Sequence, residues 1–291
     1  MTKLLCYTEV EGAETMKNRK RAFCGVLLLA LAAGLVADSK YHLQLTKYDL
    51  SFRTLPAAFD GFRIVQLSDL HGAMFGQENS QLIRLVREQD PDLIALTGDL
   101  ISSAGDLDAV KALLRGLKGV APICFVNGNH EWARGARREL DELLARYGVI
   151  RLENRYLPLE RRGERIVLAG AEDPNGWADM PKPDEVAAAL RQEYPEEFVL
   201  WLGHRNDWTE KYPELPVDLI LSGHAHGGVV RLPLLGGLFG TEHRLFADHE
   251  SGVYESGSYR MTVSRGLGNS VAVPRLFNRP EVVLIILHSE R

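Results

Sequence analysis

The segment 221–228 reads Leu-Ser-Gly-His-Ala-His-Gly-Gly and carries two histidines two positions apart. The mostly apolar run 217–221 before it predicts a buried strand, so His224 and His226 follow a strand end. In an extended segment, residues two apart point the same way, and both imidazoles then face one point. Imidazole pairs at this spacing are natural ligands of transition metals, although His-x-His also arises by chance. The motif alone leaves a metal site and an ordinary histidine pair both open.

Four further apolar runs also end in polar side chains that can bind a metal or move a proton. These side chains are Asp69, His71, Asp99, Asn129, His130 and His204. One aspartate or histidine at a strand end is commonly a helix cap or a satisfied core group. Five of the nine histidines of the chain lie at such ends, however, and that coincidence favours one shared site.

The elements that must position these residues alternate along the chain. Amphipathic helices are predicted at 78–88, 107–117 and 137–147. The predicted strands are 62–67, 92–96, 122–126, 165–169, 197–202, 217–221, 259–263 and 282–287. Strands separated by helices indicate an α/β fold, in which functional groups gather at the carboxyl ends of strands.

Length and composition describe one large globular domain. The chain has 291 residues, of which 45% are hydrophobic and 25% charged. A net charge of −5 gives no sign of a nucleic-acid-binding surface. Three cysteines form no disulfide framework or paired zinc motif, and only Cys124 belongs to the globular part. The sequence does not indicate an oligomeric state.

The N-terminal region resembles a membrane anchor. Residues 1–21 end in a basic cluster, and the apolar run 22–37 follows, which is the order of a signal or an anchor. Poor cleavage-site residues at Leu35 and Ala37 favour an uncleaved anchor over secretion after cleavage. The basic side is expected in the cytoplasm and the catalytic domain outside it. Met16 is a second candidate start. A connector, 38–59, with an edge strand at 48–52, then leads to the domain, 60–291.

The order Asp-x-His, Gly-Asp, Gly-Asn-His-Glu, Gly-His and Gly-His-x-His resembles the calcineurin-like metallophosphoesterases over residues 62–288. Closer similarity to the membrane-tethered bacterial phosphoesterase branch lies in 68–72, 226–228 with 231–233, and 264–268 with 280–281. The resemblance implies an α/β fold of four layers, αββα, in which two mixed β-sheets pack as a sandwich flanked by helices.

The resemblance also implies a site with two divalent metal ions, Mn, Fe, Zn or Co. One ion would be bound by Asp69, His71, Asp99 and His226. Asp99 would bridge to the second ion, which Asn129, His204 and His224 complete. Two carboxylates neutralise half of the four positive charges, so the remainder favours a phosphate. A hydroxide bridging the metals is the expected nucleophile, and His130 is expected to assist the leaving group.

The expected activity is hydrolysis of a phosphodiester or pyrophosphate bond by a metal-dependent phosphoric ester hydrolase. The tether and the apolar segment 229–239 favour a lipid-linked or amphiphilic substrate over a soluble nucleotide. Some relatives in the tethered branch are similar to hydrolases of nucleotide-linked acyl-sugars. That segment is either a loop packed on its own core or a lip that contacts lipid. A catalytically idle, membrane-tethered protein that binds metal or phosphate is the alternative from another class.

Three positions depart from the family pattern. Ser102 stands where some relatives carry an aspartate, a change expected to affect the orientation of His130. Val229 and Asn206 stand where close relatives often have Gln and Pro, and both changes are expected at the substrate edge.

Overall fold

A long N-terminal helix, α1 (Thr2–Tyr41), precedes the α/β domain. The computed structural model describes residues 2–133, 136–232, 234–238, 245–246 and 248–290, with side chains from residue 19 onward. Arg19–Tyr41 has a mean hydropathy of 2.0 and, within the described residues, is the one helix long and apolar enough to cross a membrane. Its 23 residues span roughly 34 Å, enough for a hydrocarbon core of about 30 Å. The helix extends beyond the predicted apolar run 22–37 in both directions.

The first sheet has six strands and joins the two ends of the domain. In spatial order they are β1 (Gln44–Phe52), β14 (Glu281–Ser289), β2 (Phe62–Leu67), β3 (Leu93–Leu96), β4 (Ile123–Phe125) and β5 (Ile150–Arg151). All neighbours are parallel except β14 and β2, which are antiparallel. The edge strand predicted at 48–52 is present and begins earlier, at Gln44.

The second sheet also has six strands. They are β12 (Gly252–Glu255), β13 (Arg260–Val263), β9 (Leu219–Ser222), β8 (Val199–Leu202), β7 (Glu164–Gly170) and β6 (Arg155–Arg161). The two outer pairs, β12–β13 and β6–β7, are antiparallel, and the central strands are parallel. Strands β10 (Arg231–Leu232) and β11 (Gly236–Gly237) form a separate small hairpin.

Helices cover both outer faces of the sandwich. The helices that follow α1 are α2 (Ser80–Arg87), α3 (Leu107–Leu117), α4 (Asn129–Ala133), α5 (Arg137–Arg146), α6 (Pro183–Glu193) and α7 (Trp208–Lys211). One apolar cluster joins the first sheet to α2, α3 and α5, a second fills the space between the sheets, and a third joins the second sheet to α6. The central strands are therefore buried on both faces, which explains their continuous apolar sequences. The predicted four-layer αββα fold is confirmed.

Candidate metal centre

The sandwich brings the predicted site residues together at the carboxyl ends of five strands. Asp69 and His71 follow β2, Asp99 follows β3, Asn129 and His130 follow β4, His204 follows β8, and His224 and His226 follow β9. Asn129 and His130 are partly exposed, whereas the other six are buried, with at most 9% of their surface accessible. All eight residues thus belong to one buried cluster with a partly open rim.

Sharp turns, not extended chain, aim the ligand side chains. Asp69, His71, Asp99, His224 and His226 all have positive φ, between 45° and 68°. Non-glycine residues rarely occupy this region, and such strain persists where the surrounding fold enforces it. The expectation that His224 and His226 face one point as neighbours in an extended segment is wrong. The chain turns between them, and the two rings enter adjacent groups of side chains.

The first group contains Asp69, His71, Asp99 and His226, whose ligand atoms lie within 4.8 Å of one another. Nε2 of His71 is 3.2 Å from Nε2 of His226, and the latter is 3.4 Å from Oδ1 of Asp69. Nε2 of His71 is 3.7 Å from Oδ2 of Asp99. The backbone N–H of His224 donates to the Asp69 carboxylate at 3.1 Å, which fixes the carboxylate in place.

The second group contains Asp99, His204 and His224. Nε2 of His204 lies 3.3 Å from Oδ2 of Asp99 and 3.2 Å from Nδ1 of His224. Nδ1 of His204 donates to the carbonyl oxygen of Thr97 at 2.8 Å, which leaves Nε2 to face the site. The side-chain oxygen of Asn129 is 3.1 Å from that same Nε2. Asp99 is therefore common to both groups.

The electrostatics of the cluster suit cations. Burial lowers the pKa of His71, His224 and His226, so these rings are neutral and offer lone pairs. Burial opposes the charge on His204 too, but the adjacent Asp99 carboxylate raises its pKa to about 10, so Nε2 becomes a ligand atom only when a cation displaces its proton. Two carboxylates, four imidazoles and an amide oxygen, packed with little access to water, are a donor set that fits two divalent cations.

His130 lies at the rim of the cluster. Its backbone N–H donates to Oδ1 of Asp99 at 2.8 Å, and its ring packs edge-on against His71 with centroids 4.8 Å apart. Nε2 is 3.9 Å from Oδ2 of Asp99, and within the described residues Nδ1 has no hydrogen-bond partner. With its side chain 15% exposed, the ring can reach a group bound above the cluster.

Glu131 is a buried residue of the site that sequence reasoning missed. Its carboxylate accepts hydrogen bonds from the backbone N–H groups of Asp99 at 2.8 Å and of Leu100 and Gly128 at 2.7 Å. Burial and the nearby Asp99 charge raise the pKa of Glu131 to about 7, while the backbone donors oppose that rise. Glu131 thus ties the turn after β3 to the turn after β4. In the sequence, the only feature that pointed to Glu131 was its place in the Gly-Asn-His-Glu motif.

Arg205 was also missed. One terminal nitrogen of its guanidinium lies 3.1 Å from Nε2 of His224. The other two nitrogens bind the buried Asp173 carboxylate at 2.6 and 3.1 Å. The Asp173 carboxylate thus holds the Arg205 guanidinium in place beside the second group, where its N–H groups could donate to a phosphate oxygen.

Asn278 connects the C-terminal segment to the His226 turn. Its side-chain nitrogen donates to the carbonyl oxygens of His226 at 2.8 Å and Val229 at 3.0 Å, and Asn278 is fully buried. Val229 itself is buried with a φ of 46°, so its side chain does not line an open edge. Asn206, the other departure expected at the substrate edge, donates to the carbonyl oxygen of His249 at 3.0 Å.

The apolar segment 229–239 leaves the site as the β10–β11 hairpin. At its tip, Leu234 is fully exposed and Leu235 is 66% exposed. Positions 233 and 239 lie outside the described residues. The tip is not packed on the core of the domain, in contrast to Val229 at the base.

Ser102 contacts a different histidine from the one expected. Its hydroxyl lies 2.7 Å from Nδ1 of His71, and within the described residues it makes no hydrogen bond to the His130 ring. Position 102 therefore orients His71 in this chain.

Comparisons with known proteins agree with this geometry. The family model for the calcineurin-like phosphoesterase domain matches residues 62–228. The uncharacterized metallophosphoesterase YkuE of Bacillus subtilis is 30% identical, over 94% of this chain and 99% of its own length. Phosphodiesterase YaeI of Escherichia coli is 32% identical, over 84% of this chain and 88% of its own. A transmembrane protein with a metallophosphoesterase domain from Danio rerio is 26% identical, over 95% and 64%. The predicted resemblance is confirmed, and the chain belongs to the calcineurin-like phosphoesterase family of metal-dependent phosphoester hydrolases.

Proposed function

We propose that the chain hydrolyses a phosphodiester or pyrophosphate bond with two divalent metal ions, Mn, Fe, Zn or Co. The observation that carries this proposal is the sharing of Asp99 by two groups of buried ligand atoms. In this assignment Asp99 would be a ligand of both ions. Asp69, His71 and His226 would complete one site, and Asn129, His204 and His224 would complete the other. The similarity to phosphodiesterase YaeI supports the choice of bond.

The residues around the ions have separate tasks. When bound, the ions supply positive charge for the phosphate and a hydroxide nucleophile. Arg205 adds a fixed positive charge beside His224. His130, whose side chain is partly exposed at the rim of the cluster, protonates the departing oxygen.

The substitution Asp99→Asn tests the bridging role. Full-length protein with Mn should hydrolyse a chromogenic aryl phosphodiester. The variant should lose more than about 100-fold in kcat/KM. Removing a group that only orients a metal ligand costs at most about 100-fold. Its metal content should also fall below that of the unaltered protein. Asp90→Asn is the matched control, since Asp90 is exposed and has a similar positive φ of 45°. Activity that survives Asp99→Asn would remove the bridging role.

The substitution His130→Ala separates an enzyme from an idle binding protein. Turnover should fall by about 10² to 10⁴, the usual contribution of a proton donor, while the metal content stays near that of the unaltered protein. Unaltered protein that binds two ions but hydrolyses no phosphoester would instead favour the metal- or phosphate-binding alternative.

We further propose that α1 anchors the chain and that the catalytic domain lies on the extracytoplasmic side. The basic residues before the apolar run support this orientation, and a cleaved signal is the alternative. Protease added to spheroplasts should digest the domain from outside, whereas protection until lysis would contradict the orientation. N-terminal sequencing of the product distinguishes an anchor from a cleaved signal.

A lipid-linked or amphiphilic substrate is proposed over a soluble nucleotide. The support is the attachment of α1 to the domain: Asp38 near the helix end accepts two hydrogen bonds of 2.8 Å from Arg279, and Ser39 is buried. An enzyme held at a bilayer meets lipid-borne phosphate at high effective concentration. Hydrolysis of a lipid phosphodiester should exceed that of its water-soluble headgroup ester, and the reverse order would favour the nucleotide.

A further inference from the structure

A groove of about 450 Å³ lies between the end of α1 and the metal cluster. One wall is Val36, Lys40 and Tyr41 of the helix, and the opposite wall is the loop that contains Val271 and Ala272. The lining is mainly apolar. Grooves of this size hold small organic groups, and an apolar lining selects hydrocarbon.

The inner end of the groove reaches the cluster. His71 lines it through its backbone, because its side chain is fully buried, together with Gly72 and the buried Leu267. A molecule in the groove therefore ends beside the turn that carries a proposed ligand of the first ion.

The outer end of the groove reaches the apolar helix. Val36 belongs to the segment long and apolar enough to cross a bilayer, so the groove begins where that segment meets the domain. The contacts of Asp38 and Ser39 with the segment 278–279 keep the helix against the domain. Met74 and Val271 are 42% and 45% exposed, so apolar surface in the groove is left in contact with water. Lys40 supplies a positive charge there.

We infer that this groove holds the hydrocarbon chain of an amphiphilic phosphodiester whose phosphate lies at the metal centre. This inference rests on the proposed function, and it specifies the orientation in which the substrate binds. The chain enters along α1, past Val271 and Ala272, and the phosphate lies beyond the turn that carries His71. The hairpin tip at Leu234 and Leu235 is then a contact with the bilayer surface and not the site of the substrate chain.

The test uses p-nitrophenyl alkyl phosphodiesters with methyl, butyl, hexyl and octyl chains. Full-length protein is held in lipid nanodiscs with Mn, and kcat/KM is measured for each ester. The value should rise by about fourfold per methylene while the chain is being buried. Val271→Asp introduces a charge into the groove, and Ala272→Trp fills it without one. Both should lower the octyl-to-methyl ratio by at least about tenfold.

Val273→Asp is the matched control. Val271 and Val273 are 45% and 50% exposed, and both carbonyl oxygens accept a hydrogen bond from Asn269, but only Val271 lines the groove. Partition of the esters into the nanodisc is the same for every variant and cancels in the comparison. Val273→Asp should keep the ratio of the unaltered protein.

Four outcomes overturn the inference alone. One is a ratio that stays high in both groove variants, and another is a ratio that falls equally in Val273→Asp. The third is a ratio that falls only in the double substitution Leu234→Asp with Leu235→Asp, which would place the chain on the hairpin. The fourth is a kcat/KM that does not depend on the length of the alkyl chain. This result would overturn the role of the groove but not the proposed function. If no ester is hydrolysed, the proposed function fails and the inference fails with it.

Discussion

The hydroxyl of Ser102 is the one hydrogen-bond partner of Nδ1 of His71 within the described residues. A neutral imidazole that donates from Nδ1 presents the lone pair of Nε2, and here Nε2 faces His226 and the carboxylates. Ser102 therefore sets both the orientation and the tautomer of a proposed ligand. A hydroxyl accepts this hydrogen bond more weakly than a carboxylate would.

Ser102→Ala should weaken Mn binding by about tenfold, since losing a group that orients a ligand costs about 10- to 100-fold in affinity. Activity at saturating Mn should change little, because the ligand itself remains. Titration of the apo-protein with Mn, followed by activity and by calorimetry, measures both effects. Ser103→Ala is the control, because the neighbouring Ser103 is exposed. An unchanged Mn affinity in Ser102→Ala would show that packing alone orients His71.

At the scale of elements, the C-terminal segment before β14 holds the turn that carries His226. Asn278 donates to two carbonyl oxygens in that turn, and its own side-chain oxygen accepts a hydrogen bond from the buried Arg275 at 3.2 Å. Burial lowers the pKa of Arg275 to about 10, so it remains charged at neutral pH. Its guanidinium also donates to the carbonyl oxygen of Gly268 at 2.7 Å. This network takes the place of regular secondary structure in a segment that has little.

Asn278→Ala should lower the free energy of unfolding by about 2 kcal/mol, because it leaves buried carbonyl groups without donors. Asn206→Ala removes similar bonds to the backbone of 248–249 at a partly exposed position, where water replaces them, and should cost less than about 0.5 kcal/mol. Urea denaturation of the apo-proteins gives both values. Equal losses in the two variants would contradict the role given to burial.

The sequence predicted best those elements whose two faces are both buried. The strands β2, β3, β8 and β9 are continuous apolar runs because helices or the other sheet cover each face. Strand β6 was missed because its side chains are half exposed and it includes Pro158 and several charges. Which sheet each strand joins depends on pairings between distant segments. The second sheet was therefore expected only from the family resemblance.

At the scale of the whole molecule, the layer between the two sheets contains a natural probe of unfolding. Cys124 on β4 is fully buried there, and burial raises the pKa of its thiol to about 12. A thiol in this state reacts with maleimide only when the sheets separate. Its labelling rate therefore reports opening of the sandwich.

In a background with Cys6→Ser and Cys24→Ser, Mn-loaded protein should label at Cys124 only very slowly. Removing metal with EDTA should accelerate labelling by about 100-fold if Mn had been present at about 100 times its Kd. Mass spectrometry of timed samples measures the rate, and urea-denatured protein gives the upper limit. Labelling of the Mn-loaded protein at the rate of an exposed thiol would contradict the burial of Cys124.

The fold of the whole molecule also explains which residues of the site could be predicted from the sequence. The proposed metal ligands lie in short sequence motifs. The residue types and the order of these motifs therefore predicted the cluster. Glu131, Arg205 and Asn278 act on backbone or side-chain groups brought near by the fold. Asn278, for example, binds the carbonyl oxygen of a residue 52 positions away. No short pattern records such a contact.

The position of β14 between β1 and β2 sets an order of events during synthesis. Thr46 on β1 and Glu281 on β14 are hydrogen-bonded although they are 235 positions apart. In the described sheet β1 pairs only with β14, so the first sheet is closed only after β14 has been made. Such distant pairing is slow, and the waiting strand edges are targets for chaperones and for aggregation. Strand β1 must therefore remain unpaired until β14 arrives.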